Sequence, residues 1–294
     1  MTTDWTAISD AIAEATGKPF RLAGHDRVGG GCINETLRLE SADGRCYFLK
    51  LNDAQHLPML AAEAAGLNEI GATQTIRVPH PIAHGIAGAH AFLVLEHLEL
   101  GSRGNANLLG EQLAALHRCT QPRFGFAQDN FIGTTAQPNG WTDDWLTFWR
   151  ERRLGFQLRL AAKNGYGAKL QTLGEKLTAV LPDFFTGYTP QPALLHGDLW
   201  SGNHAYLPGG APVIFDPAPY YGDRECDLAM TELFGGYDAR FYAAYRAAYP
   251  LDAGYAARRD LYNLYHILNH ANLFGGGYAQ QAEQMMQRLL AEAG

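Results

Sequence analysis

The chain has 294 residues, of which 47% are hydrophobic and 18% are charged, so it can bury a substantial core and need not be disordered. Its formal net charge of -7 argues against a general nucleic-acid-binding protein, which needs a cationic surface. Residues 1–10 lack the pattern of a secretory signal, no apolar run approaches the roughly 20 residues of a membrane span, and the four cysteines form no CxxC pair. We therefore expect a cytoplasmic protein that binds neither nucleic acid nor membrane.

The first third of the chain is predicted to be rich in strands. Residues 35–40 alternate polar and apolar side chains, residues 41–44 are typical of a turn, and residues 46–51 form the returning strand. A helix follows over residues 55–70, which are rich in Ala, Leu and Glu. Another apolar strand is predicted over residues 91–96. Together these elements predict a small antiparallel β-lobe with one helix.

Beyond Gly101 the pattern becomes helical. Leu109, Leu113 and Leu116 share one helix face, and Asn107 is the expected N-cap of that helix. A second run of apolar side chains at helical spacing is expected to face the core; it consists of Trp145, Phe148 and Trp149.

Two short apolar strands interrupt these helices, over residues 193–195 and 213–215, and each ends in a polar cluster that contains an aspartate. From Asp223 to the end we expect helices joined by turns. The predicted fold class is therefore α+β, with an N-terminal lobe of residues 1–98 and a larger, mostly helical C-terminal lobe of residues 99–294.

Asp198 and Asn203 follow the first of these short strands. Phosphoryl transfer needs a carboxylate that orients the attacking hydroxyl and accepts its proton, and an oxygen ligand for Mg²⁺. Gly197 and Gly202 would allow a tight loop to bring both side chains together. The alternative is a loop whose Asp and Asn only cap backbone groups. His196 is expected to brace this loop rather than act as a base.

Asp216 follows the second short strand, eighteen residues after Asp198. A carboxylate there suits Mg²⁺, which favours carboxylates together with phosphate oxygens. The arrangement parallels the catalytic loop and the DFG segment of protein kinases, with Asp-Pro-Ala in place of DFG. It predicts ATP·Mg²⁺-dependent phosphoryl transfer. Nearby, Asp223 and Asp227 flank a helix start and are expected to cap it or brace the loop.

Lys50 lies in a predicted strand and Glu63 on the following helix. A lysine that binds the α- and β-phosphates has to be held in place, which a helix glutamate can do. The alternatives are an ordinary strand lysine and, as its partner, Glu69 on the same helix.

A glycine-rich turn precedes these elements, and its amides are predicted to cover the phosphates. Its candidate nucleotide-binding residues are Gly29, Gly30, Gly31, Cys32 and Asn34. The turn matches neither GxGxxG nor GxxxxGK[ST], so a simple strand turn is the alternative and a P-loop NTPase is disfavoured. If Cys32 is exposed there, oxidation is expected to block ATP binding. Further along, the backbone of residues 96–98 (Glu96, His97 and Leu98) is predicted to bind the adenine edge.

Several blocks of the sequence resemble the fructosamine kinase (ketosamine-3-kinase) family, within the aminoglycoside-phosphotransferase-like kinases. These blocks are residues 29–35, 48–50, 95–98, 110–117, 124–134, 145–149, 153–154, 196–203, 216–218, 264–270 and 272–275. The blocks at 124–134 and 264–275 are the most specific to the family. The resemblance implies a two-lobed protein-kinase-like fold and phosphorylation of a ketosamine hydroxyl, O-3, whose product breaks down and releases the amine.

The resemblance also implies residue roles. Asp198 would be the catalytic base, Asn203 and Asp216 the Mg²⁺ ligands, Lys50 the phosphate-binding lysine and Glu63 its partner. Polar groups with an aromatic wall suit a ketosamine, whose secondary amine is cationic. The candidates from the family blocks are Asp129, Asn130, Trp200, His266 and Asn269.

Other functions remain open at this point. A kinase of another small hydroxylated amine, such as an aminoglycoside, choline or a homoserine-like substrate, would use the same core chemistry. A pseudokinase would be expected to lack at least one of four residues, all of which are present: Lys50, Asp198, Asn203 and Asp216. A protein-serine kinase would carry an APE motif after Asp216, and the sequence has none there. The sequence leaves open whether the ketosamine is free or on a peptide or protein lysine, and whether the chain is a monomer or a homodimer.

Overall fold

The computed structural model describes residues 3–29 and 33–293. Packing divides the chain into two compact units. The first unit contains the chain up to Asn105 together with His204–Pro217, and the second unit contains Ala106–Asn203 together with the chain from Ala218 onward.

This division differs from the boundary expected from the sequence. Residues 99–105 and 204–217 pack with the first unit, whereas the sequence predicts a single boundary after residue 98. The later segment joins the first unit through backbone contacts: Gly101 forms a bridge with Tyr206, and Arg77 with Val213. As functional lobes, residues 1–98 and 99–294 stay a prediction.

An antiparallel sheet forms the centre of the first unit. Its strands are β1 (Leu22–Arg27), β2 (Glu35–Ser41), β3 (Cys46–Asp53), β4 (Pro81–Ala87) and β5 (His90–Glu96). They pair in the order β1-β2-β3-β5-β4. The strands predicted over 35–40, 46–51 and 91–96 are therefore confirmed as β2, β3 and β5. Pro81 begins the edge strand β4, a position where its missing N–H is tolerated.

Two helices flank this sheet in the first unit. The predicted helix is α2 (Leu57–Ala72), entered through a 3-10 turn at Ala54–His56. The other, α1 (Trp5–Thr16), was not expected from the sequence, so the prediction of one helix in this part of the chain was wrong. Asp4 caps α1 by accepting two backbone N–H bonds, and Ile8 and Ile12 pack into the core under the sheet.

The second unit is mostly helical. Its α-helices are α3 (Ala106–Leu116), α4 (Trp145–Phe148), α5 (Gly155–Lys163), α6 (Ala168–Ala179), α7 (Glu225–Leu233), α8 (Ala239–Ala248), α9 (Tyr255–Phe274) and α10 (Tyr278–Glu292). A π-helical turn at Trp149–Leu154 joins α4 to α5, and a 3-10 turn at Leu181–Phe185 follows α6. Among the described residues, none of the helices is long and apolar enough for a membrane span.

Short strand pairs accompany the helices. In the second unit, β6 (Asn130–Ile132) pairs with β7 (Thr135–Gln137), and β8 (Ala193–Leu194) pairs with β11 (Tyr221–Gly222). In the first unit, β9 (His204–Tyr206) pairs with β10 (Pro212–Ile214). The two short strands predicted before the aspartates are confirmed as β8 and β10.

The apolar helix faces that the sequence predicts are buried, as expected. Leu109, Leu113 and Leu116 are at most 1% exposed. The apolar run of Trp145, Phe148 and Trp149 is likewise buried in the core. The predicted cap was wrong, because α3 begins at Ala106 and Asn107 therefore lies inside its first turn.

Candidate active site

Lys50, Glu63 and Asp216 form a cluster of ion pairs in the first unit, called the Lys50 cluster below. Lys50 lies in β3 between β2 and β5, Glu63 lies on α2, and Asp216 follows β10. The Lys50 Nζ atom is 2.6 Å from Glu63 Oε1 and 2.5 Å from Asp216 Oδ1. The structure thus pairs Lys50 with Glu63, the helix glutamate that the sequence favoured over Glu69.

The electrostatics of the Lys50 cluster keep its cation charged. Lys50 is 4% exposed, and burial alone would lower the pKa of its ammonium. The carboxylates of Asp216 and Glu63 together outweigh burial and raise that pKa above its usual value. The Asp216 side chain is 45% exposed and its φ of 58° lies in the left-handed region, where non-glycine residues are uncommon and often functional.

The glycine-rich turn connects β1 to β2. Val28 and Thr36 close its base, since Val28 N donates to Thr36 O at 3.0 Å and Thr36 Oγ1 donates to Val28 O at 2.6 Å. Asn34 is held at the other end, because its Oδ1 accepts from Asn52 Nδ2 at 2.8 Å. Gly29 has open space where a Cβ would lie. The predicted contacts at three further positions lie outside the described residues: Gly30, Gly31 and Cys32.

The predicted adenine-binding segment begins where β5 ends. Both oxygens of the Glu96 carboxylate have partners: Oε2 pairs with Arg77 Nη2 at 2.5 Å, and Oε1 accepts from His80 N at 2.5 Å. His97 and Leu98 follow the last paired residue of the sheet. Their role as backbone partners of adenine stays a prediction.

The Asp198 loop, residues 196–203, follows β8 in the second unit. Asn203 Nδ2 donates to the backbone oxygen of Asp198 at 2.8 Å and to its Oδ2 at 3.3 Å, so the loop brings these two side chains together. Asn203 is 6% exposed and Asp198 is half-buried. Gly197 has φ 83°, and a Cβ there would clash with the carbonyl oxygen of Ala218, which explains why this position requires glycine.

Asp227 and His196 brace the Asp198 loop, as the sequence indicated. The backbone N–H groups of His196 and Gly197 donate to Asp227 Oδ2 and Oδ1 at 2.7 and 2.8 Å. The backbone N–H of Asp198 donates to His196 Nδ1 at 3.2 Å. His117 Nε2 lies 3.1 Å from Asp227 Oδ2. Burial would raise the pKa of Asp227, but the hydrogen bond with His117 and the nearby imidazoles hold it below its usual value.

Asp223 caps the start of α7, also as expected. Its Oδ1 accepts from the backbone N–H of Glu225 at 3.0 Å and from the Tyr188 hydroxyl at 2.9 Å. Its Oδ2 accepts from the Tyr262 hydroxyl at 2.6 Å. Asp223 therefore has a structural role within the second unit.

Asn203 and Asp216 provide the kind of atoms that Mg²⁺ binds. Because Asn203 Nδ2 points to Asp198, Oδ1 is the atom of this amide that can bind a cation, and Asp216 offers a partly exposed carboxylate. Both are hard oxygen donors, which Mg²⁺ prefers. Within residues 3–29 and 33–293, no three or more His, Cys, Asp or Glu side chains come together as a metal site.

Trp200 and Asp129 are the exposed members of the predicted substrate set. Trp200 belongs to the Asp198 loop, is 38% exposed, and packs edge-on against Phe234 with ring centroids 6.3 Å apart. The Tyr237 hydroxyl donates to Trp200 O at 2.9 Å and helps to hold it. Asp129 Oδ1 accepts from the backbone N–H of Asn139 at 2.7 Å.

His266 and Asn269 are buried members of the set on α9. Burial and the neighbouring His270 lower the pKa of His266 to about 3, so its imidazole is neutral at pH 7. Asn269 Nδ2 donates to Ile132 O at 3.3 Å, and its Oδ1 accepts from Gln157 Nε2 at 3.1 Å. Their contacts are with the interior of the second unit.

Asn130 departs most from the sequence expectation of a substrate contact. It is 3% exposed, its Nδ2 donates to Pro219 O at 2.8 Å, and its Oδ1 accepts from the side chains of Gln137 and Asn139, each at 2.8 Å. Because these internal bonds occupy the amide, we leave Asn130 out of the proposed substrate site. Gln137 and Asn139 were not predicted as functional residues, since their only signal in the sequence is a pair of amides at the end of a short hairpin.

Comparison with known proteins identifies the family of the chain. A family model described as fructosamine kinase matches residues 4–292. A protein of Synechocystis sp. described as a probable ketoamine kinase is 52% identical over 291 residues, which are 97% of each chain. A protein-ribulosamine 3-kinase of Arabidopsis thaliana, described as chloroplastic, is 42% identical over 278 residues, covering 93% of this chain and 85% of that protein.

The structural comparison agrees with the sequence comparison. The crystal structure of a Haemophilus somnus 129PT protein described as a fructosamine-3-kinase superposes with a TM-score of 0.89 and 28% identity, covering 98% of each chain. The predicted α+β, two-lobed protein-kinase-like fold is confirmed. This chain belongs to the fructosamine kinase family.

Proposed function

We propose that this chain transfers the γ-phosphoryl group of ATP to O-3 of a ketosamine. The observation that carries phosphoryl transfer is Lys50, a buried ammonium held between two carboxylates at 2.6 and 2.5 Å. Because the position of this ammonium is already fixed, it can bind phosphate oxygens without a further loss of side-chain freedom. Family membership supports a ketosamine as the acceptor, because the relatives are described as ketoamine and ribulosamine kinases.

Asp198 is the proposed base of the reaction. As the acceptor oxygen forms its bond to the γ-phosphorus, the Asp198 carboxylate accepts the hydroxyl proton, the bond from the γ-phosphorus to the bridging oxygen breaks, and ADP leaves. Asn203 supports this role, since its amide contacts Asp198 at Oδ2 and at the backbone oxygen. Asp227 and His196 keep the loop backbone in place.

The nucleotide is proposed to bind through the first unit. Lys50 would contact its α- and β-phosphates while Glu63 holds the lysine. The backbone of residues 96–98 would bind adenine, and the amides of the glycine-rich turn would cover the phosphates; its proposed residues are Gly29, Gly30, Gly31, Cys32 and Asn34.

A divalent metal ion belongs with the nucleotide in this proposal. Membership of a kinase family implies a nucleotide and a divalent ion, and we propose ATP and Mg²⁺. Asn203 and Asp216 would hold Mg²⁺, and both provide the oxygen donors that it prefers. When bound, Mg²⁺ neutralises charge on the transferred phosphoryl group.

The acceptor is proposed to contact Trp200 and Asp129. A ketosamine has a secondary amine that is cationic at neutral pH, so an exposed indole can bind it by a cation–π contact and a carboxylate can bind it by charge. His266 and Asn269 remain candidates for the inner side of this site. We expect the 3-phosphate product to decompose and release the amine, so that the net result is deglycation.

The test is an ADP-coupled assay with ribulosamine, fructosamine, choline and an aminoglycoside as acceptors, each with Mg²⁺, and with Asp198→Asn as the control. Free ketosamines and a glycated peptide are compared at equal concentration. We expect ADP formation with at least one ketosamine in the wild type and none above background in the variant. Turnover of choline or the aminoglycoside alone would overturn the proposed acceptor, and silence with all acceptors would favour a pseudokinase.

A further inference from the structure

The hairpin of β6 and β7 carries a buried set of amides that the proposed chemistry does not use. Asn130 and Gln137 lie directly opposite each other in this hairpin, and Asn139 follows it. These three side chains are at most 3% exposed. Burying so many neutral polar groups is costly unless each is hydrogen-bonded, so their partners indicate their purpose.

These amides bind two consecutive backbone carbonyls. Gln137 Nε2 donates to Ala218 O at 3.0 Å, and Asn130 Nδ2 donates to Pro219 O at 2.8 Å. Gln137 Nε2 also donates to Asn130 Oδ1 at 2.8 Å, which joins the two amides into one network. Neither bond belongs to a regular ladder, so the hairpin holds the Ala218–Pro219 backbone through side-chain bonds.

The segment that the hairpin holds is in direct contact with the Asp198 loop. Ala218 N donates to His196 O at 2.9 Å, and the Ala218 carbonyl lies where a side chain at Gly197 would have to be. The loop therefore rests on Ala218, and Ala218 is fixed from its other side by Gln137. His196 in turn accepts the backbone N–H of Asp198 at 3.2 Å.

The far side of the network is also fixed. The Tyr265 hydroxyl donates to Gln137 Oε1 at 2.8 Å, and Asn139 Nδ2 donates to Asn130 Oδ1 at 2.8 Å. Arg153 Nη2 donates to Asn139 Oδ1 at 2.6 Å, and its guanidinium lies 4.0 Å from the ring centroid of Tyr220. Each amide oxygen thus has a donor, which orients the nitrogens of Gln137 and Asn130 toward Ala218 and Pro219, while Asn139 Nδ2 donates within the network to Asn130 Oδ1.

We propose that Gln137, supported by Asn130, is a positioning residue that fixes the Asp198 loop through the Ala218 backbone. This inference rests on the proposed function, in which Asp198 accepts the proton of the acceptor hydroxyl. Gln137 does not touch the reacting atoms. It acts by limiting how far the loop can shift, and a shift of about 1 Å at a reacting group can cost on the order of a hundredfold in rate.

The experiment compares Gln137→Met with Gln137→Glu. Methionine has a similar length and forms neither bond of the Gln137 nitrogen, so we expect kcat to fall by about a hundredfold while the KM for ATP changes little. A protonated glutamic acid can still donate to Ala218 O, whereas a carboxylate repels that oxygen. For Gln137→Glu, kcat relative to the wild type should therefore fall as the pH rises, and Gln137→Met should show no such recovery at low pH.

Thr231→Val is the matched control, because it removes the hydrogen bonds of another buried side chain in the second unit: Thr231 Oγ1 donates to Leu228 O at 2.6 Å and lies 3.2 Å from the Tyr242 hydroxyl. Thermal unfolding of all variants is followed at each pH. If Thr231→Val and Gln137→Met lose similar stability, only Gln137→Met should lose kcat. Equal kcat losses, or wild-type kcat in Gln137→Met, would overturn the proposal. If Gln137→Met fails to fold, the pH dependence of Gln137→Glu decides alone.

A substrate-free readout separates this inference from the proposed function. Amide hydrogen exchange of the peptides that contain Asp198 and Ala218 should accelerate in Gln137→Met and stay unchanged in Thr231→Val. This measurement remains valid even if the wild type turns over no ketosamine. Unchanged exchange at both peptides would contradict the positioning role whatever the acceptor is.

Discussion

The Lys50 cluster and the Asp198 loop are organised by different physics. In the first unit, a buried ammonium is held by two carboxylates, and charge decides the geometry. In the second unit, the loop is held by hydrogen bonds to its backbone: the Asp227 carboxylate accepts two of them and the His196 ring accepts one, while the neutral Gln137 amide fixes the adjoining Ala218.

The difference follows from what each region has to bind. A phosphate-binding lysine must stay charged in a buried position, and only nearby carboxylates can keep it so against the cost of burial. A loop that carries a proton-accepting carboxylate needs a fixed backbone, and neutral amides can hold that backbone without adding charge. We therefore expect substitutions in the two regions to separate binding of the nucleotide from the chemical step.

The largest expected effect is that of Asp198→Asn. Asparagine has the same shape but cannot accept the hydroxyl proton, so kcat should fall by about a thousandfold. The KM for ATP should change by less than about threefold, because the nucleotide is proposed to bind through the first unit. Steady-state kinetics with varied ATP check both values. A raised KM at unchanged kcat would break the proposed separation of the two regions.

The next effect is that of Lys50→Met, which should lower kcat/KM for ATP by about a hundredfold. It also leaves the carboxylate of Glu63 buried without its cation, which typically costs about 3–5 kcal/mol of the free energy of unfolding. The double variant Lys50→Met with Glu63→Gln serves as the control. It should regain much of the lost stability in urea unfolding but none of the ATP affinity, and a return of ATP affinity would contradict the role of Lys50.

The charged region was the easier one to predict from the sequence. Lys50 and Glu63 were expected as partners because a phosphate-binding lysine has to be held in place and a helix glutamate can do so, and the structure pairs them. The loop of Asp198 and Asn203 was readable for a related reason. A carboxylate and an amide at close spacing, directly after a buried strand, can reach each other through local chain geometry alone.

The buried amide network of Asn130, Gln137 and Asn139 could not be predicted from the sequence in the same way. Asn130 binds a backbone carbonyl 89 residues away, and every residue has such a carbonyl, so nothing in the sequence marks Pro219 as its partner. The packing of residues 204–217 with the first unit was missed for the same reason, since it depends on long-range backbone pairing. The helix α1 was missed although Asp4 and the spacing of Ile8 and Ile12 did mark it.

A smaller effect is expected from Asp227→Asn, which tests the charged residue that holds the backbone of the Asp198 loop. Asparagine can accept one of the N–H bonds from His196 and Gly197 but presents a donor to the other, so we expect about a tenfold loss of kcat and a loss of about 1–3 kcal/mol in the free energy of unfolding. Asp238→Asn, at the exposed cap of α8, is the control and should leave kcat unchanged.

Asp227→Asn should also change how the stability of the protein depends on pH. The pKa of Asp227 is lower in the folded than in the unfolded state, so its stabilisation is present above the unfolded pKa of about 3.9 and is lost as the pH falls through the lowered folded value. Urea unfolding below pH 5 should therefore show a steeper acid loss in the wild type than in Asp227→Asn. Parallel curves would indicate that His117 and the two N–H bonds do not favour the ionised form.

The smallest effect at neutral pH is expected from His266→Gln, which tests a neutral member of the second unit. Burial and His270 lower the pKa of His266 to about 3 in the folded chain, with Arg153 also lowering it and Asp227 opposing them. The unfolded chain, with a pKa near 6.5, therefore binds a proton that the folded chain excludes, and stability falls as the pH drops from about 6.5 toward 3. Removing the imidazole should recover up to roughly 4 kcal/mol of the free energy of unfolding at the acid end of this window.

Unfolding curves at pH 7 and pH 4 measure the recovery. His25→Gln, which removes an exposed histidine of the first unit, is the control. If His266→Gln and His25→Gln lose stability equally between these pH values, the folded chain does not exclude a proton from His266, and this imidazole on α9 would not count among the neutral buried groups of the second unit.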